Sequence, residues 1–239
     1  MTPDSIKKTK SWYEKNYKAY GLDAQRRYPN EEFLRFMGRN FFSIPIKNRN
    51  NIRILELGCG SCANLWVVSK EGFLAYGIDL SQQAIMLGDL IMKEWGSTDY
   101  ILKPGSMIEI PFDDSYFDAV FDVFSSYCLV KKDFRLCLKD VCRVLKPGGL
   151  FFSFTPGKRS DSFKDIGNST LLDDSTLNGI TRKDSPYPNN NYPFRFISES
   201  EYKEELEKFN FKVRYLESVN KTYNNFKENF EFISVEAKK

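Results

Sequence analysis

The sequence predicts an α/β protein built on a doubly wound, mostly parallel sheet. Three observations predict it. From about residue 53 to 155, short apolar runs alternate with longer amphipathic stretches. The first apolar run ends in a Gly-x-Gly turn, Gly58-Cys59-Gly60, and an acid, Asp79, closes the second. A strong breaker, Lys146-Pro147-Gly148-Gly149, then separates the last amphipathic stretch of this region from a further apolar run.

Residues 11 to 42 are rich in aromatics and read as two helices split near Gly21 to Tyr28. Ile54 to Leu57 is the first strand. Cys62 to Glu71 reads as a helix that offers Leu65, Val67 and Val68 to a core, and Gly72 ends it. Leu74 to Ile78 is the second strand. Ser81 can cap the next helix, which runs to about Trp95 and carries Ile85, Leu87 and Ile91 as packing residues. Tyr100 to Leu102 is a weaker third strand, and Phe117 to Phe124 is a nearly continuous apolar fourth. In Asp133 to Leu145, Leu136, Leu138, Val141 and Leu145 recur at helical spacing. Leu150 to Phe154 is the fifth strand.

Residues 156 to 197 are polar and carry Pro186, Pro188, Pro193 and the run Asn189-Asn190-Asn191. A connection that long implies a functional lid or a disordered segment. Ser198 to Phe209 then forms a helix, and Phe211 to Leu216 and Phe230 to Val235 add two strands, which makes the sheet seven-stranded. The chain divides into an N-terminal helical cap (1–50), a core (51–155), a lid insertion (156–197), and a C-terminal helix with the last two strands (198–239).

Composition narrows the function classes. The 239 residues are 41% hydrophobic, enough for one full core. The net charge is only +3 and basic residues are interleaved with acidic ones, so no stripe suited to nucleic acid is present. No apolar run approaches the roughly 20 residues of a membrane span. The stretch from Met1 to Lys10 lacks the apolar centre of a signal peptide. Five cysteines, an odd number, point to a reducing cytoplasm rather than a disulfide framework. The chain has no histidine, which excludes a Ser-His-Asp triad, a Cys-His dyad and any His-ligated metal site. Cys59-Gly60-Ser61-Cys62 has the C-x-x-C spacing of redox and metal sites, but it coincides with the glycine turn and has no second pair. No metal is expected.

The glycines after the first strand permit tight backbone geometry and close approach of a ligand. Asp79 lies about 20 residues further on, where a carboxylate meets ribose hydroxyls. Together they indicate an adenosine-bearing ligand. Spacing alone leaves NAD open, because Ala63 is a tolerated residue in the dinucleotide fingerprint. Glu56 argues the other way: an acid directly beneath the turn is a poor neighbour for a pyrophosphate and suits an ammonium.

Four blocks, in this order and spacing, resemble the class I S-adenosyl-L-methionine (SAM)-dependent methyltransferases. They are Ile54-Leu55-Glu56-Leu57-Gly58-Cys59-Gly60, then Gly77-Ile78-Asp79-Leu80-Ser81, then Ile110 to Val120, then Arg143-Val144-Leu145-Lys146-Pro147-Gly148-Gly149. They cover roughly residues 52 to 155. The resemblance implies a Rossmann-like methyltransferase fold, SAM as cofactor and S-adenosyl-L-homocysteine as product. It implies that Glu56, Gly58, Cys59 and Gly60 hold the methionine part, Asp79 the ribose, and Leu80 the adenine. Gly105, Ser106 and Met107 occupy the usual adenine-amine position, with Ser106 in place of the family's acid. Asp122 and Val123 face the cofactor at the end of the fourth strand. Cys62 stands where the family usually has a third glycine.

Tyr127 stands where many members carry a substrate-facing histidine, and is the candidate catalytic or positioning residue. The N-terminal stretch from Trp12-Tyr13 through Tyr17, Tyr20 and Tyr28 is a candidate to close over the sulfonium, since aromatic faces suit cations. Arg35 and Arg39 are weaker candidates for the methionine carboxylate. The expected reaction is methyl transfer to an N or O of a small polar metabolite, with a sugar or amino-sugar suggested by the polar insertion. A small-molecule substrate, and neither nucleic acid nor membrane, is the expected partner. The competing readings are a non-catalytic SAM-fold partner protein and an NAD-dependent oxidoreductase.

Overall fold

The computed structural model describes residues 4–239; residues 1–3 of the cap lie outside the described residues. The cap contributes α1 (Asp4–Tyr20), a short 3-10 turn, and α2 (Glu31–Asn40). The core then alternates β1 (Arg53–Leu57), α3 (Leu65–Lys70), β2 (Leu74–Asp79), α4 (Gln82–Glu94), β3 (Tyr100–Pro104), β4 (Phe117–Val123), α5 (Lys131–Val144) and β5 (Leu145–Pro156). The insertion holds a one-turn helix, α6 (Asp161–Lys164), and a two-stranded ladder of β6 (Thr176–Leu177) and β7 (Phe194–Arg195). The chain ends with α7 (Glu199–Lys208), β8 (Lys212–Tyr223) and β9 (Glu228–Lys238).

Seven strands form one sheet in the order β3-β2-β1-β4-β5-β9-β8. The first five run parallel. β9 inserts antiparallel between β5 and β8. The winding reverses between β1 and β4. Their carboxyl ends therefore diverge and leave a crevice, the general ligand position of open α/β sheets.

Local sequence explains three of the helix starts. Asn30, Ser81 and Ser198 cap α2, α4 and α7 by accepting from Phe33, Ala84 and Glu201 N–H groups. Ser198 and Glu201 complete a reciprocal capping box. The helix expected from Cys62 starts instead at Leu65. Gly58, Gly60 and Cys62 all have positive φ, near +62°, +52° and +61°, which a right-handed helix cannot include. In α5 the buried stripe is Phe134, Cys137, Leu138, Val141 and Val144, while Leu136 is exposed. The Lys-Pro-Gly-Gly breaker lies inside β5, as a register irregularity against β4 with Gly148 left-handed. The last two strands are longer than their apolar runs, because the β8–β9 ladder continues to Tyr223 and Glu228, with β8 half-exposed at the sheet edge and β9 buried.

Both sheet faces are covered. On one, Phe33 of α2 stacks on Phe121 of β4 with centroids 4.2 Å apart, and Phe36 stacks on Phe152 of β5 at 4.9 Å. On the other, α5 and α7 bury Phe134, Leu138, Tyr202 and Leu206. The insertion is not a polar flap. Leu177, Ile180, Tyr192, Phe194 and Phe196 are buried in the main core. Its polar groups are absorbed by carboxylates of β9: Glu228 accepts from Ser162 and Arg182, and Glu231 accepts from the Arg159 N–H and from Ser218. A third, Glu236, accepts from Arg39 and Asn40 of α2. Buried carboxylates persist only with such partners. Arg39 is thus committed to β9, and Arg35 pairs with Glu31 on the surface; neither reaches the crevice.

The Phe33–Phe121 stack predicts that Phe33→Ala costs about 3–5 kcal/mol of unfolding free energy, through lost burial and the residual cavity. Urea denaturation measures this. A loss below about 1 kcal/mol would show that α2 is not part of the cooperative core.

Candidate functional site

A cavity of about 190 Å³ opens at the carboxyl ends of β1, β2 and β4, with α1 lying over it. Its floor is the left-handed turn after β1. Asp79, at the end of β2, holds this turn: one carboxylate oxygen accepts from the Gly60 N–H at 2.9 Å and the other from the Ser81 N–H at 2.8 Å. The same carboxylate thus ties the glycine turn to the start of α4. The glycines are required by contact as well as by φ. A Cβ at position 58 would stand 2.5 Å from the Ser125 Cβ, and one at position 60 would stand 2.9 Å from the Tyr17 hydroxyl. Cys62, in place of a third glycine, is accommodated because Gly88 of α4 is bare; a Cβ there would lie 2.6 Å from the Cys62 sulfur.

Glu56 is buried under the turn. Its Oε1 accepts from Asn64 Nδ2 at 2.6 Å, and its Oε2 is buried with no partner. Asn64 is oriented from the far side, since its Oδ1 accepts from the Asn30 N–H at 2.9 Å and from Arg26 at 3.3 Å. Burial pushes the Glu56 carboxyl up to about 8, against the lowering effect of Asn64 and Arg26. Burial also raises Asp79 to about 6, opposed by the Ser81 and Gly60 N–H bonds. An acid that prefers its proton, with one oxygen unpartnered, is poised to receive a cationic donor.

Glu56, Gly58, Cys59, Gly60, Asp79, Leu80, Gly105, Met107, Val123 and Tyr17 all line the cavity. Ser106, Asp122, Tyr127, Tyr20 and Tyr28 do not. Ser106 lies beside the lining and forms a bridge with Glu109. Asp122 is buried beneath it and accepts from Ser125, Ser126 and Ser153, so it braces the end of β4 rather than facing a ligand. Tyr127 is buried behind the wall. Tyr20 and Tyr28 are exposed, and Tyr28 packs edge-on to Trp95.

The lining adds residues that the sequence did not single out, including Arg26, Asn64, Phe124 and Ser125, and it brings in Tyr13 from the N-terminal aromatic stretch. Tyr13 carried a signal: Ile6, Thr9, Tyr13 and Tyr17 share one face of α1 at helical spacing. Arg26 and Asn64 carried none, because each reaches the site from a loop whose path is set by long-range contacts. Among the described residues no group of three or more acids and cysteines could hold a metal ion, and no helix is long and apolar enough to cross a membrane.

Comparison with known proteins agrees with this geometry. Residues 55–153 match a family described as a methyltransferase domain. A demethylmenaquinone methyltransferase of Bacillus subtilis is 30% identical over 107 residues, covering 42% of this chain and 44% of that protein. A sterol 4-C-methyltransferase of Caenorhabditis elegans is 27% identical over 116 residues, covering 48% of this chain and 34% of that protein. The chain thus spans less than half the length of these curated relatives. Among solved structures, the Burkholderia thailandensis 1,6-didemethyltoxoflavin-N1-methyltransferase superposes with a TM-score of 0.69 at 12% identity, covering 100% of this chain and 92% of that one. A SAM-dependent methyltransferase from Methanosarcina mazei gives a TM-score of 0.65 at 19% identity over 81% of this chain and 96% of that one.

The raised Glu56 fixes a pH dependence. The unfolded carboxyl releases its proton near 4.5, while the folded one keeps it to about 8. The unfolded state therefore binds fewer protons in that window, and stability falls as pH rises through it. Glu56→Gln should flatten the slope and raise the stability of the unliganded protein at pH 8 by about 1–3 kcal/mol, the scale of a buried group lacking its partner. Urea titrations at pH 5 and pH 8 read this out; equal slopes in both proteins would refute it.

Proposed function

We infer, from the match of residues 55–153 to a methyltransferase-domain family and from the cavity at the carboxyl ends of the strands, that this protein transfers the methyl group of SAM to a small molecule. The observation that carries the reading is one cavity with a split character. Buried Glu56, with its unpartnered oxygen, and Arg26 stand beside each other through Asn64, while Asp79 stands across the glycine turn. That donor and acceptor set fits an amino acid joined to a nucleoside. Glu56 would take the ammonium, Arg26 the carboxylate and Asp79 the ribose hydroxyls.

The same geometry disfavours a dinucleotide. A pyrophosphate needs a helix N-terminus directly behind the glycines. Here residues 58–64 are turns, and α3 begins at Leu65 and lasts six residues. A pyrophosphate would also have to share the cavity floor with the Glu56 carboxyl.

When bound, the cofactor supplies a methyl group already activated by its sulfonium. The protein is left with orientation and the exclusion of water. α1 contributes both: Tyr17 stands over Gly60, and Glu14 accepts from the Gln82 N–H at the start of α4, pinning the helix across the cavity. The sugar acceptor suggested by the polar insertion loses its premise, because that insertion packs into the core; the cavity wall at the end of β4 is Val123, Phe124, Ser125 and Cys128.

Calorimetric titration with S-adenosylhomocysteine and NAD tests the reading. S-adenosylhomocysteine should bind and NAD should not; the reverse, or neither binding, would overturn it. Asp79→Ala should weaken S-adenosylhomocysteine by roughly 10- to 100-fold and Arg26→Ala by roughly 10-fold, from about 1.5–3 kcal/mol per charge-assisted contact. Because Glu56 is protonated below about 8, ammonium binding at pH 6.5 should release a proton. Titrations in buffers of different ionisation enthalpy should show this release in the natural chain and its loss in Glu56→Gln.

A further inference from the structure

The proposed cofactor contacts leave one cluster in the cavity wall unused. Tyr13 of α1, Tyr127 after β4 and Tyr192 of the insertion bring three phenol oxygens together. The Tyr13–Tyr127 and Tyr127–Tyr192 separations are 2.7 and 2.8 Å, and Tyr13–Tyr192 is 3.4 Å. The first two are normal O–H···O lengths and the third is too long for one. Of the three, Tyr13 alone lines the cavity. It lies one helical turn from Tyr17, which stands over Gly60.

Proton counting shows what Tyr13 can offer. Tyr127 donates along one short edge and accepts along the other. If it donates to Tyr13, the Tyr13 proton is available to a ligand. If it accepts from Tyr13, a lone pair remains. A single flip of the chain lets Tyr13 serve a carbonyl or ring nitrogen as donor, or an O–H or N–H group as acceptor. None of the three hydrogen-bonds to a charged side chain, and burial keeps all three phenols protonated.

Tyr13, Tyr17 and Phe124 are the rings of the cavity lining, beside Thr9, Lys10 and Gln25, and further rings back them. Phe124 packs on Tyr127 at 4.4 Å and on Tyr187 at 4.6 Å, and Trp12 packs on Tyr192 at 5.0 Å. Phe124 itself is left-handed, with φ +57°, an uncommon conformation for a bulky residue. It is held there by an N–H bond to Phe154 O at 2.8 Å and by its stacking partners. Backbone strain retained at a cavity wall points to use.

We propose that Tyr13 is the hydroxyl that positions the methyl acceptor, with Tyr127 and Tyr192 holding it in place, and that the acceptor is a planar, largely apolar molecule with one neutral polar edge. One switchable hydroxyl among aromatic faces matches a fused-ring phenol, quinone or nitrogen heterocycle. It is a poor match for a sugar, whose many hydroxyls would be desolvated against rings without partners. Tyr127, expected to face the substrate directly, acts through Tyr13. The inference rests on the methyl-transfer reading.

The test uses calorimetry on the full chain saturated with S-adenosylhomocysteine, with 2-naphthol as the planar probe and glucosamine as the polyhydroxylated one. 2-Naphthol should bind and glucosamine should not. Tyr13→Phe should weaken 2-naphthol about 5-fold or more and Tyr192→Phe about 3-fold, the scale of one hydrogen bond and of its support. Both variants should keep S-adenosylhomocysteine affinity within about two-fold and their Tm within a few degrees. Glucosamine binding in preference, binding of neither probe, or 2-naphthol affinity unchanged by Tyr13→Phe overturns the proposal. Loss of S-adenosylhomocysteine in Tyr13→Phe assigns that residue to the cofactor and also overturns it. If the natural chain fails to bind S-adenosylhomocysteine, it is the methyl-transfer reading that falls.

Discussion

The Asp79 carboxylate is the joint on which the site is built. Its two oxygens take the Gly60 and Ser81 N–H groups, so one side chain locks the turn after β1 to the entry of α4. The turn cannot be helical while Gly58, Gly60 and Cys62 are left-handed. It therefore stays open as a floor, and α3 is displaced to Leu65. α1 lies across that floor, tied to the start of α4 by Glu14. Burial holds Asp79 near 6 rather than in the ordinary carboxylate range, so the joint keeps its charge at neutral pH only because two backbone dipoles oppose the desolvation.

A second set of buried acids does for the architecture what Asp79 does for the turn. β9 carries Glu228, Glu231 and Glu236 in a largely apolar strand. Each is satisfied by a different neighbour: the insertion, its entry loop, and α2. An ion pair in such a place adds little net stability, but a wrongly docked segment would leave a bare charge. The glutamates thus specify where the cap and insertion sit. Those two segments in turn supply Tyr13, Tyr17, Arg26 and Tyr192, the residues that enclose the cavity or support its wall.

Glu56 shows how unliganded stability and binding oppose each other. A carboxyl with one unpartnered oxygen under a dry turn is costly once ionised. A cation brought to it removes that cost. The site is thereby least comfortable without its ligand, and its discomfort has the sign that selects an ammonium over a phosphate.

The order of strands, the glycine turn, Asp79 and the capping serines were legible along the chain, because each depends on local chemistry: apolar periodicity, φ preferences of glycine, and side chains reaching their own backbone neighbours. Within the cavity, Glu56, Gly58, Cys59, Gly60 and Asp79 follow from the same logic, since strand ends and turns present their residues wherever the sheet goes. Tertiary structure decided the rest. Arg26 and Asn64 come to Glu56 from loops with no local pattern, and Arg39, a charge that reads as available, is consumed by Glu236. A polar, proline-rich insertion became core because β9 had buried acids to meet its arginines and serines. Tyr127 was visible at its position in the chain. That it sits behind Tyr13 rather than in the cavity is a fact of packing between three segments 65 to 179 residues apart, and no local propensity encodes such a distance.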